Sequence, residues 1–165
     1  MDDLTKISNR RYCEKVMEEL SSNNENFGIF SFDLNNLKKI NDNMGHTYGD
    51  DLISGFARIL KETFEKEAVV GRMGGDEFIV IIRSDDGRID YETFRKKLQH
   101  VIDEYNHKES RFKYSVACGY ADSTEAGDNN GNVDARQIYS MADDRMYVHK
   151  RKIKEKIKQE KSHNE

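Results

Sequence analysis

The sequence predicts an α+β domain, an antiparallel sheet covered by helices. Three observations carry that reading. Two apolar, β-branched runs, Ala68-Val69-Val70 and Phe78-Ile79-Val80-Ile81-Ile82, flank Met73-Gly74-Gly75-Asp76-Glu77 and read as a hairpin. The coarse element order is α-β-α-α-β-β-α-β-α, and a hairpin inside such an order argues against a doubly wound parallel sheet. The remaining strand candidates are short and lie between helical patterns.

Composition bounds the rest. At 165 residues the chain is one domain, long enough for a real core. It is 36% hydrophobic and 35% charged, and its net charge of −4 gives no general case for nucleic-acid binding. No apolar stretch reaches membrane-spanning length, and the start carries no signal-peptide pattern. Cys13 and Cys118 lie far apart without metal-ligand spacing, which reads as two free thiols in a reducing cytoplasm.

Taken in order, residues 1–8 read as a polar, linker-like start. Ser8 or Asn9 can cap a helix whose buried stripe is Tyr12, Val16 and Leu20. Phe27 to Phe32 reads as a strand that stops at Asp33. From Leu34 the pattern turns helical, with Leu37, Ile40 and Met44 in phase. Gly45 to Asp50 breaks that pattern, and Asp50 caps or leads a second helix with Leu52, Phe56, Ile59, Leu60 and Phe64 on its apolar face. After the hairpin, Asp90 opens a helix carrying Phe94, Leu98, Val101, Ile102 and Tyr105. Phe112, Tyr114, Val116, Cys118 and Tyr120 alternate strictly and read as a strand with one apolar face. Asp122 to Asn132 reads as a mobile loop. Ile138, Met141, Ala142 and Met146 begin the last helix, which runs into a basic tail over about 152–165 that is expected to fray.

Three clusters carry chemistry. Glycine pairs form tight turns because glycine accepts φ > 0, so the hairpin is expected to project Asp76 and Glu77. Two adjacent carboxylates repel, and with Asp33 at a neighbouring strand end they would suit a divalent cation, which takes oxygen ligands. A helix cap at Asp33 and two solvated turn acids account equally for the same residues. Asn35-Asn36-Leu37-Lys38 sets free helix amides beside a lysine, which suits a polyphosphate or an ordinary capped surface helix. Asn41 with Asp50 can read a purine edge, or can be turn and cap chemistry around Gly45 and Gly49.

Together these residues resemble the GGDEF family of diguanylate cyclases over nearly the whole chain. Asp3-Leu4-Thr5 with Asn9-Arg10 resembles the family's opening motif. Asp33-Leu34-Asn35 through Lys38, Asn41-Asp42, Gly45-His46 and Gly49-Asp50 resembles its nucleotide-binding motif in order and spacing. Arg72 with Gly74-Gly75-Asp76-Glu77-Phe78 matches the signature. Ser115 to Gly119 resembles the late strand, and Ala142-Asp143, Met146-Tyr147 and Lys150 the last helix. The resemblance implies a central, mostly antiparallel sheet flanked by helices, like nucleotidyl cyclases and polymerase palms.

It also implies a reaction: two GTP molecules condense into cyclic di-GMP with release of two pyrophosphates. Asp33, the Leu34 carbonyl, Asp76 and Glu77 would hold two Mg²⁺ ions, with Mn²⁺ as a substitute. Asp76 or Glu77 would take the hydroxyl proton. Asn41 and Asp50 would bind guanine. Lys38, Lys150, Lys154 and the amides of Asn36 and Leu37 would hold phosphates. One site per domain requires a second copy, hence a two-fold homodimer. Such a domain is expected as the cytoplasmic output end of a longer protein with a sensory module. The alternative is a catalytically silent GGDEF domain that binds GTP and regulates a partner; the intact signature acids argue against it.

Three departures from the family pattern stand out. Asn35 replaces a common aspartate. Lys154 replaces a frequent arginine, keeping charge and losing the bidentate fork. Glu65-Lys66-Glu67-Ala68 occupies the place of an Arg-x-x-Asp product-binding pair, so no feedback inhibition through that stretch is expected.

Overall fold

The computed structural model describes residues 1–64, 66, 68–109 and 111–164. Its elements are α1 (Arg10–Ser22), β1 (Phe27–Leu34), α2 (Leu37–Met44), α3 (His46–Thr63), β2 (Val69–Arg72), β3 (Glu77–Arg83), α4 (Tyr91–Lys108), β4 (Val116–Asp122), a 3-10 turn over Ser123–Glu125, and α5 (Ala135–His163). The four strands form one antiparallel sheet in the order β2-β3-β1-β4. The expected α+β class and element order are those observed.

Strand β1 is central and buried along its whole length, which is why it shows no polar alternation. Its two faces feed two cores. Phe30, Phe32 and Leu34 join Phe56, Phe64 and Phe78 beneath α3 and α4, where the rings stack and meet edge to face. Phe27 and Ile29 join Cys13, Val16, Leu20, Ile79, Ile138 and Ala142 beneath α1 and α5. Among the described residues no helix is long and apolar enough to cross a membrane.

Several local expectations need correction. In α1 the buried stripe is Cys13, Val16, Met17 and Leu20, and Tyr12 is exposed. The cap is Asn9, whose side chain accepts from the Tyr12 amide at 2.9 Å. Helix α3 begins at His46 after Gly45 (φ 93°), so Asp50 lies inside the helix instead of capping it. Strand β4 begins at Val116, not Phe112. Asn106 of α4 bonds both the amide and the carbonyl of Tyr114 (2.6 and 3.0 Å), so that segment's backbone is satisfied outside the ladder. The face of β4 bearing Ala117, Gly119 and Ala121 is the more buried one, because α5 lies on it. The segment after Asp122 opens with a capping box between Asp122 and Glu125. The basic stretch from about 152 continues α5 as helix through His163. Residues 1–8 are docked, not linker-like: Ser8 bridges Gly71 at the edge of β2, and Ile7 is buried.

Candidate active site

Register builds the carboxylate cluster. Asp33 and Glu77 are direct partners across β1 and β3, so their side chains leave the same face of the sheet. Asp76 precedes β3, and its carbonyl accepts the Leu34 amide at 2.8 Å, tying the hairpin turn to the end of β1. One carboxylate oxygen from each of Asp33, Asp76 and Glu77 lies within 4.8 Å of the others. Neither Gly74 nor Gly75 takes a positive φ, so the glycines are not there for the expected turn geometry. A Cβ at Gly75 would meet nothing, and the turn faces open space.

The cluster is electrostatically strained. Burial pushes the Asp76 carboxyl up, and neighbouring Asp33 pushes it further. Burial likewise raises Glu77, helped by Asp143, Asp76 and Asp33. Asp33 is only 5% exposed. Its Oδ2 accepts from Lys150 Nζ at 2.8 Å, while its buried Oδ1 receives no hydrogen bond from the described residues. An orphaned buried carboxylate oxygen beside two further acids fits a divalent cation.

Helix α5 closes this face because β4 lets it come near. A Cβ at Gly119 would lie 2.0 Å from the Ala142 carbonyl oxygen and 2.3 Å from the Met146 nitrogen, so only glycine allows the approach. That approach sets Asp143 on Ser31 (3.0 Å) and Lys150 on Asp33. Asp33 draws the Lys150 ammonium pKa upward, so the lysine is a fixed cation.

A groove of about 620 Å³ opens beside the cluster, lined by Asp33, Leu34, Asn36, Leu37, Lys38, Asp76, Lys150 and Lys154. Asn36 is left-handed (φ 70°) and makes no side-chain cap, so the first amides of α2 have no side-chain partner from it. Asn35 instead bonds Ser115 Oγ at 3.0 Å. Asn41 and Asp50 do not line this groove. Asn41 lies on the α2–α3 seam, where its Oδ1 occupies the place of a Cβ on Gly49, and the next residue of α3, Asp50, is exposed. A cavity of about 670 Å³ beside β2 is slightly larger, but its lining of Lys6, Tyr12, Lys61, Lys66 and apolar side chains includes no carboxylate among the described residues. Glu65 and Glu67, in the stretch expected to confer no product inhibition, lie outside the described residues.

Sequence reasoning gave no role at the site to three residues around it. Asp143 crowds Glu77 and holds Ser31. Arg10 and Asp2 reach the turn from the N-terminal segment, directly and through Arg72. Asp143 sits in a motif already recognised, but nothing in its spacing reports that it meets β1, 112 residues earlier.

Acids converging at one end of a helix-flanked antiparallel sheet, beside a lysine-lined groove, match the palm-like architecture that the family resemblance implies. The chain belongs to the GGDEF domain family: the family described as "Diguanylate cyclase, GGDEF domain" matches residues 1–156. Signaling protein YkoW of Bacillus subtilis is 32% identical over 164 residues, covering 95% of this chain and 20% of that protein. Diguanylate cyclase DgcS of Shewanella oneidensis is 27% identical over 150 residues, covering 88% of this chain and 48% of its own. The chain thus spans between about a fifth and a half of these relatives. A solved microbial GGDEF domain, described in a novel interaction mode with cyclic di-GMP, is 28% identical with a TM-score of 0.71, covering 91% of this chain and 92% of that one. The GGDEF domain of DgcB from Caulobacter crescentus shares the fold at 21% identity, with a TM-score of 0.73 over 92% of this chain and 90% of its own.

Proposed function

We propose that the chain is a diguanylate cyclase that condenses two GTP molecules into cyclic di-GMP, working as a two-fold dimer with Mg²⁺. The observation that carries this reading is the Asp33–Asp76–Glu77 cluster, with Asp33 Oδ1 orphaned, at the mouth of a lysine-lined groove. Asp33, the Leu34 carbonyl, Asp76 and Glu77 would hold the metal. A Mg²⁺ ion held there would supply Lewis acidity toward the 3′-hydroxyl and positive charge beside the phosphates.

The chain's own groups do the rest. Lys38, Lys150 and Lys154 neutralise the triphosphate, and the first amides of α2 receive its oxygens. The Asp50 carboxylate accepts from guanine N1 and N2, with Asn41 beside it. Asp76 or Glu77 takes the hydroxyl proton. The 3′-oxygen then bonds the α-phosphorus of the facing nucleotide as the bond to pyrophosphate breaks. Two such events close the ring and release two pyrophosphates. Each site acts on one of the two nucleotides, so a second copy of the domain must face the first.

Incubation with GTP and Mg²⁺ at high protein concentration, with products analysed by mass, tests the reading. The native chain should give cyclic di-GMP and Glu77→Gln none. GTP binding without product in a forced dimer would overturn it in favour of the silent alternative. The Glu65 to Ala68 stretch should confer no product inhibition; inhibition by micromolar cyclic di-GMP that is lost on mutating it would show otherwise.

A further inference from the structure

The last turns of α5 carry a stripe that neither core uses. Past Lys150 the helix runs on from Arg151 to His163, about 20 Å at about 1.5 Å per residue. From Lys152 to the end the only apolar residues are Ile153 and Ile157. Neither belongs to either hydrophobic core, and Ile157 is 43% exposed. A lone exposed isoleucine is ordinary surface, but these two are in phase with two lysines. Lys150, Ile153, Lys154 and Ile157 stand at i, i+3, i+4 and i+7, which is one face of a helix. All four line the groove of about 620 Å³ beside the carboxylate cluster, which Lys39 and Asn43 line from α2. The α5 wall of that groove therefore alternates cation with aliphatic side chain.

The cations of this face are short of counter-charge. Lys150 is paired with Asp33 at 2.8 Å. Among the described residues no carboxylate forms an ion pair with Lys154. Like charges four residues apart repel along a helix, as Lys150 with Lys154 and Lys154 with Lys158 do here. An anion seated against them removes that repulsion. Aliphatic side chains beside it keep water off the anion, and a charge pair shielded from water attracts more strongly than an exposed one.

We infer that Ile153 and Ile157 belong to the substrate site, as an apolar wall that shields from water the triphosphate held by Lys38, Lys150 and Lys154. The tail of α5 is then part of the site and not a solvated end. The wall borders the phosphates and not the base, because Asn41 and Asp50 line no part of this groove. It should raise affinity for a polyphosphate without choosing between purines. The inference rests on the groove being the triphosphate site of the proposed cyclase, but its test reads binding, not turnover.

The test combines Ile153→Gln with Ile157→Gln in the full chain. Glutamine is at least as good a helix former as isoleucine, so the tail keeps its helix, which far-UV circular dichroism checks. Calorimetric titrations use a non-reacting GTP analogue, its ATP counterpart and inorganic tripolyphosphate, each with Mg²⁺. All three should lose affinity alike, by about tenfold, the scale for withdrawing part of two isoleucines from apolar contact. Affinity should also fall more steeply with added salt than in the native chain. Ile153→Leu with Ile157→Leu should bind within about twofold of native, since volume and apolarity are kept. Gln159→Ala, on the tail but outside the groove lining, should change nothing. Native affinities in the glutamine form overturn the wall, and so does a leucine form that loses as much as the glutamine form. Loss confined to the GTP analogue would make the isoleucines base contacts and overturn it too. Native affinities with weaker self-association in sedimentation would assign the stripe to an interface between copies of the chain instead. Tripolyphosphate binding with no cyclic di-GMP formed would count against the activity and leave the wall standing.

Discussion

The two halves of the proposed site, one for metal and one for nucleotide, are built by different means. The metal half is pinned by the sheet: Asp33 and Glu77 are register partners, and Asp76 is tied to Leu34 by a backbone bond. Its acids are brought together against their own repulsion. The nucleotide half rests on helix packing: Asn41 fills the space over Gly49, and Asp50 projects from α3 into solvent. A half built on a ladder holds its geometry before any ligand arrives. A half built from exposed side chains supplies contacts that matter only once a ligand is there. Damage to the first should cost chemistry and metal affinity; damage to the second should cost binding and base preference.

The largest effect should come from Asp33→Asn. An amide cannot replace the buried carboxylate, and Lys150 loses its partner. Turnover should fall by about 10²–10³-fold, the scale for losing one electrostatic group at a reacting centre. A metal-binding native protein should gain about 2.7 kcal/mol at Mn²⁺ a hundredfold above Kd. That is a melting-temperature rise of about 5–10 °C at this size. The variant should show almost none of it, and an undiminished rise would break the assignment of Asp33.

The next effect reaches the metal half through the fold. Gly119→Ala drives a Cβ into the backbone of α5 at Ala142 and Met146, neither of which can swing aside. Overpacking of this kind costs about 1–3 kcal/mol, or about 2–4 °C per kcal/mol in melting temperature. Because α5 carries Asp143 and Lys150, the Mn²⁺ response should weaken as well. A thermal scan with and without Mn²⁺ separates the two consequences. Loss of stability with an unchanged metal response would show that α5 does not position the site.

These contrasts also mark what was legible in the sequence. The hairpin, the helices and the order of elements along the chain could be read because each is signalled locally, by period, by β-branched runs and by glycine pairs. Asp33, Asp76 and Glu77 were nameable because they sit at strand ends and a turn. Boundaries failed where a side chain took over a backbone's bonds, as Asn106 does for Tyr114. Tyr12 was misplaced because an amphipathic stripe read at every fourth residue is ambiguous by one position; Cys13 carries the buried edge instead. Asp2, Arg10 and Asp143 act across separations of 63 to 112 residues, which no period reports. Residues 1–8 read as a linker because their folding is almost wholly polar.

In the nucleotide half, Asp50→Ala should weaken binding of a non-reacting GTP analogue by about 10–100-fold, the loss of a charged hydrogen bond worth about 1.5–3 kcal/mol. The preference over the matching ATP analogue should shrink with it. The Mn²⁺ rise in melting temperature should survive intact, because Asp50 lies outside the carboxylate cluster. Calorimetric titration of both analogues checks this, and equal GTP affinity in native and variant protein would remove Asp50 from the base-reading role.

The smallest effect concerns an outer anchor of the metal half. Burial pushes the Asp2 carboxyl up, but the Thr5 hydroxyl and amide and the Arg72 guanidinium outweigh it and hold the group below its ordinary 3.8. A carboxyl depressed in the folded state contributes stability above its unfolded value and loses it as pH falls through the folded one. The contribution of these Asp2 bonds should therefore be complete above about pH 4 and fade only in stronger acid. Its size should be a few tenths of a kcal/mol to about 1 kcal/mol, since the pair is partly open to solvent. Urea unfolding of native protein and Asp2→Asn should show a small gap at pH 7 that narrows below pH 4. A gap that widens in acid would mean that the Asp2 carboxylate destabilises the fold instead of anchoring Arg72 and Thr5.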